Sequence, residues 1–121
     1  MKPNALLVIV SMLLASGAAL AGPVAQTRDS QQRVLKNWTL AHCLAQSAPD
    51  GPGKQDAAAS AAAYLEQGKQ PIEAYEQLGA LVAGALADPK SGSVPSSYNT
   101  KTCIDLFNSQ QLDKAVKRLA K

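Results

Sequence analysis

The sequence predicts an all-α fold, a small single-domain bundle of four or five helices tied by one disulfide. Three observations carry this reading. Apolar residues recur at three- and four-residue intervals through most of the chain, no segment alternates convincingly with period two, and two lone cysteines follow an opening typical of exported proteins.

That opening is Lys2, an apolar run from Ala5 to Leu14, and Ala19-Leu20-Ala21 ahead of Gly22-Pro23. It has the three parts of a secretory signal peptide, with cleavage expected after Ala21, and the run is too short to span a hydrocarbon core about 30 Å thick. Residues 1–21 are therefore expected to be removed. Residues 22–121 then make one helical domain, with no membrane association after cleavage.

The formal charge of the 121-residue chain is +3, and Lys2 contributes to it. So slight and scattered a charge excludes a nucleic-acid footprint. Alanine dominates the apolar residues beyond the leader, so few large side chains are available for burial and the domain is expected to be marginally stable. Cys43 and Cys103 supply a staple: in an oxidising compartment the two exported thiols pair, and closing so long a loop contributes roughly 4 kcal/mol by chain entropy.

The first helix is expected from Ser30 to about Ser47, with Val34, Trp38, Ala41 and Ala45 on one stripe, Leu35 and Leu44 widening it, and Asp29 or Ser30 as cap. Pro49-Asp50-Gly51-Pro52-Gly53 breaks the pattern into a turn or short loop. A second helix follows from Asp56, rich in alanine and therefore thin, carrying Tyr64 and Leu65 and ending at Gly68, which suits a left-handed C-cap. Pro71 opens a third helix whose core stripe is Ile72, Tyr75, Leu78, Val82 and Leu86. Asp88-Pro89 stops it near Ala87.

Asp88 to Ser97, with two prolines, a glycine and four serines, reads as an exposed loop. A fourth helix over Thr100 to Phe107, capped by Asn99 or Thr100, brings Cys103, Ile104, Leu106 and Phe107 together. Ser109 starts the last one, with Leu112, Ala115, Val116 and Leu119 inward.

No catalytic group assembles from these residues. His42 and Cys43 are adjacent, so on a helix they diverge by about 100° and cannot form a nucleophile–base pair, and His42 is the only histidine. One His, two distant Cys and no CxxC, HxxxH or calcium loop leave no metal site, and no cofactor motif is present. Glu66, Glu73 and Glu76 sit at helix ends as ordinary solvated carboxylates. Lys114, Lys117, Arg118 and Lys121 form a basic edge that suits the C-terminal end of the last helix.

Binding is therefore a better reading than catalysis, and the serine-rich loop is its best seat. Tyr98 offers a large amphipathic anchor and the serines offer adaptable hydrogen bonding. The other reading of the loop is a plain connector with Tyr98 folded into the core.

The string Ser91-Gly-Ser-Val-Pro-Ser-Ser-Tyr-Asn-Thr-Lys-Thr-Cys-Ile-Asp-Leu-Phe107, continuing to Leu112-Asp113, resembles the signature of immunity proteins for type VI secretion amidases, the fourth Tae/Tai family. Leu35-Lys-Asn-Trp38, Cys43, and Asp56 to Ser60 with Tyr64-Leu65 are similar to that family too, while Pro95 and Pro49–Gly53 depart from its pattern. The resemblance implies a small helical periplasmic protein, a homodimer, that neutralises a peptidoglycan-cleaving cysteine amidase, a DL-endopeptidase, by pushing a loop into its substrate cleft. A helix of the second subunit adds contacts. Carried onto this chain, the inserted residues are Ser91, Gly92, Ser93, Val94, Ser96, Ser97, Tyr98 and Asn99. The competing classes are a periplasmic helical chaperone or adaptor that binds a protein client, and a lysozyme-type inhibitor.

Overall fold

Five helices account for most of residues 27–121, which, with Gly17 upstream, are the residues that the computed structural model describes. Apart from that glycine, the expected leader lies outside the described residues. α1 spans Arg28–Ser47, α2 Pro52–Gln67, α3 Ile72–Ala87, α4 Asn99–Phe107 and α5 Gln110–Leu119, and no strand occurs among the described residues.

α1 begins earlier than expected. Thr27, extended in backbone, is its cap, and its side chain accepts the Ser30 amide hydrogen bond at 3.1 Å. Asp29 instead occupies the first turn, where the helix dipole favours a carboxylate. α2 likewise starts at Pro52, inside the segment expected to be a turn. Proline at the first helical position sacrifices no backbone bond, and Gly51, at φ 145°, makes the sharp turn in a region that side chains rarely enter. The early start lets Lys54 reach back to the end of α1, where its Nζ donates to the Ala45 carbonyl at 2.6 Å and to that of Ala48 at 3.4 Å. A cation thus satisfies the free carbonyls of a helix C-terminus and closes the α1–α2 hairpin.

Gly68 does not form the left-handed cap expected of it: its backbone is extended, at φ −75° and ψ 146°. Its service is steric, because the Tyr75 phenol lies against it. α3 stops at Ala87, as its pattern predicts. Tyr98, rather than Asn99 or Thr100, precedes α4 as its cap, and Ser109 caps α5 by accepting the Leu112 amide at 3.1 Å.

α1 is the hub, packing on all four other helices, whereas α2 packs on α1 alone. The alanines explain this arrangement: α2 buries only Ala61 fully, with Tyr64 half-buried, so the hairpin is close and leaves most of the alanine surface in solvent. The main core joins Leu35, Trp38 and Ala41 of α1 to Tyr75 and Leu78 of α3 and to Leu112, Ala115 and Val116 of α5. The Trp38 and Tyr75 rings meet edge to face, with centroids 5.1 Å apart. Val34, expected on the stripe, is half-buried, while neighbouring Leu35 is fully enclosed.

A second core is built around the disulfide. Cys43 and Cys103 are bonded and fully buried, beside Val82 and Leu106, with Leu40, Leu44 and Leu86 packed against them. The bond therefore ties α1 to α4 from within.

Gln31 is a buried polar residue that periodicity alone does not single out. Its Oε1 accepts the Lys69 amide at 2.8 Å and its Nε2 donates to the Gln67 carbonyl at 3.4 Å, so the start of α1 holds the end of α2. On the surface Lys36 pairs with Asp113 at 2.9 Å and lies over the Phe107 ring, linking α1 to α5 and to the end of α4.

Candidate functional site

The chain leaves α3 at Ala87 and enters α4 at Asn99 through an exposed loop in which Ser91 to Ser97 all face solvent. Val94 is its most exposed large apolar residue, at 64%.

Tyr98 organises this segment. Its backbone is left-handed, φ 55° and ψ 27°, the only non-glycine residue with positive φ among those described. Its amide donates to Ser96 Oγ at 3.2 Å, while its carbonyl accepts from the Thr102 amide and hydroxyl. The phenol folds back over Gly92: its oxygen accepts the Val94 amide at 3.0 Å and donates to the Val94 carbonyl. Tyr98 is thus half-buried against its own loop, neither a ring projecting freely nor one sunk into the core. Of the expected site residues, Gly92, Val94, Ser96 and Tyr98 come together in one closed unit, whereas Ser91, Ser93 and Ser97 stand exposed around it.

The base of the loop is anchored to α1. Asn99 Nδ2 donates to the Ser47 carbonyl at 3.4 Å, Ser47 Oγ lies 3.8 Å from Cys103 Sγ, and the disulfide itself sits one turn into α4. Between this base and the α1–α2 hairpin lies an open groove of about 590 Å³, with Ser96 and Ser97 on one side and Leu44, Ala57 and Ser60 on the other. Its walls present hydroxyls and small apolar groups, with Asp56 and Lys101 also lining it, which suits recognition by shape and polar contacts.

The remaining reactive types are engaged elsewhere. His42 stacks on Trp38 with centroids 4.6 Å apart, burial holds its imidazole below the ordinary pKa, and both cysteine sulfurs are in the disulfide. Among the described residues no three His, Cys, Asp or Glu side chains cluster as metal ligands, and no helix is long and apolar enough to cross a membrane. Lys114, Lys117 and Lys121 are exposed on the last helix and beyond it, and Arg118 donates to Gln77 Oε1 at 3.2 Å.

Comparison with known families matches residues 33–116, from α1 to α5 and including both cysteines and the whole loop, to Tai4, the amidase immunity proteins of the type VI secretion system. The chain belongs to the Tai4 family. Solved structures agree. A chain of the Tae4/Tai4 effector–immunity system from Salmonella typhimurium is 39% identical, with a TM-score of 0.70 over 80% of this chain and 96% of that one. A chain of the Tae4–Tai4 complex from Enterobacter cloacae is 28% identical, with a TM-score of 0.64 over 78% and 95%. A complex of the Salmonella effector Tae4 with the E. cloacae Tai4 gives 28% identity and a TM-score of 0.63 over 78% and 96%. Comparison with curated proteins finds no match. Membership makes this Tai4-family chain an immunity protein rather than an enzyme.

Proposed function

We propose that the chain is a periplasmic immunity protein that binds a Tae4-type peptidoglycan amidase and blocks it by placing the Ser91–Asn99 loop in the catalytic cleft. The observation that carries this reading is the loop itself: exposed at Ser91 to Ser97, closed on itself by Tyr98, and rooted through Asn99 and Cys103 in α1. Such a projection fits a concave substrate cleft, and inhibition is steric, with the nucleophile belonging to the partner.

Family membership supports the partner, and one similar structure joins an effector and an immunity protein from different bacteria. The leader at residues 1–21 and the domain at 22–121 fit a protein that meets its target where the cell wall lies, and a buried disulfide suits that oxidising space. The active form is a homodimer, in which a helix of the second subunit extends the contact.

The test is hydrolysis of peptidoglycan fragments by Salmonella Tae4, titrated with protein purified from the periplasm and with its Ser93→Arg variant of matched circular dichroism. Wild type is expected to inhibit stoichiometrically, and the variant at least about thirtyfold more weakly, as for an interface residue worth roughly 2 kcal/mol. Equal inhibition by both proteins would remove the loop from the cleft and turn attention to the helix faces. Failure of wild type against Tae4 and against the amidase encoded beside its own gene, with capture of many periplasmic proteins instead, would favour a client-binding chaperone.

A further inference from the structure

We infer that Tyr98 is a positioning residue that clamps the backbone of Val94 and holds it as a preformed apolar knob, an inference that rests on the loop-insertion reading. One side chain holds both backbone polar groups of a residue four positions earlier: Tyr98 Oη accepts the Val94 N–H and donates to the Val94 carbonyl. The single hydroxyl proton is spent within the loop, so the phenol is no donor to a partner. With its amide and carbonyl pinned, Val94 cannot turn over, and the residue stays 64% exposed between Ser93 and Pro95.

Two further features belong to the clamp. Gly92 lies beneath the ring, where a Cβ would collide with the Tyr98 ring and hydroxyl. The left-handed backbone of Tyr98, disfavoured for a residue bearing a Cβ, turns the ring back over the loop. A segment with two prolines, a glycine and several serines has little apolar surface with which to order itself, so the clamp supplies the order. Ordering the loop before the encounter removes an entropic cost from binding.

The test uses the protein purified from the periplasm, with Salmonella Tae4 as probe. Tyr98→Phe keeps the ring over Gly92 and removes both hydrogen bonds. In the free protein the Val94 amide is expected to exchange with solvent about fivefold faster while core amides and melting temperature stay unchanged, and the Kd for Tae4 is expected to rise about tenfold. Gly92→Ala, which displaces the ring, is expected to do the same, and the double variant to add little. Unchanged Val94 exchange in Tyr98→Phe, whether or not binding weakens, overturns the clamp, as does faster exchange with unchanged Kd. Val94→Asp separates the two proposals. If it abolishes binding while Tyr98→Phe is silent, loop insertion stands and the clamp falls. If Val94→Asp and Ser93→Arg are both silent, loop insertion falls and the clamp with it.

Discussion

The hydroxyl of Tyr75 occupies the space that a side chain at Gly68 would need: a Cβ built there overlaps Tyr75 Oη. The phenol enters the core from α3, edge-on to Trp38, and its oxygen ends against the backbone where α2 stops. That oxygen is buried with no protein hydrogen-bond partner, and burial pushes the phenol's pKa up. Two consequences follow for stability. Gly68→Ala is expected to cost about 1–3 kcal/mol by overpacking, seen as a lower melting temperature. Tyr75→Phe, which removes an unpaired hydroxyl, is expected to be neutral or stabilising by up to about 1 kcal/mol, and to relieve much of the Gly68→Ala penalty in the double variant. Equal penalties in both backgrounds would mean that the clash is not with the hydroxyl.

The disulfide joins residues 60 apart in sequence and sits in the second core. Thiol titration of the denatured, unreduced protein is expected to find no free thiol. Cys43→Ala is expected to destabilise by roughly 2–5 kcal/mol, since the constraint on the unfolded chain is lost. A variant that melts with the wild type would show that helix packing suffices.

His42 gives the fold a pH dependence of defined sign. Burial lowers its pKa below 6.5, so the unfolded chain takes up a proton before the folded one does. Its contribution is complete above the unfolded pKa near 6.5 and is lost as pH falls through the lower folded value. Melting temperature is therefore expected to decline below neutrality, with part of that decline absent in His42→Gln. A variant that keeps the whole slope would assign it to the carboxylates.

Self-association is expected from surfaces left uncovered. Leu65, Ile72 and Ile104 are 40–57% exposed, and α3 turns the small residues Ala80, Ala83, Gly84 and Ala87 to solvent, where a second copy can pack closely. Light scattering over a dilution series is expected to show a dimer. A single-chain mass at every concentration would exclude it.

What the sequence determined by itself is what short-range chemistry controls. The period of Trp38, Ala41 and Ala45, or of Tyr75, Leu78 and Val82, places apolar groups on one face of a helix whatever surrounds it, and Pro89 ends α3 because the residue before a proline avoids the helical region. Two cysteines leave one pairing, and the run from Ser91 to Phe107 is unusual enough to point to its family. Tertiary structure decided the rest. α2 begins at Pro52, ahead of the expected start at Asp56, and Lys54 in its first turn reaches carbonyls at the end of another helix; Gly68 leaves free the space that the Tyr75 hydroxyl fills; Gln31 is buried because it meets the end of α2. Tyr98 could be read as an anchor or as a core residue, and it became a clamp because its left-handed backbone turns the ring onto Gly92 and Val94. Periodicity reports which face of an element is apolar, whereas the partner of a polar atom depends on which other element arrives there, and that is settled only when the helices pack.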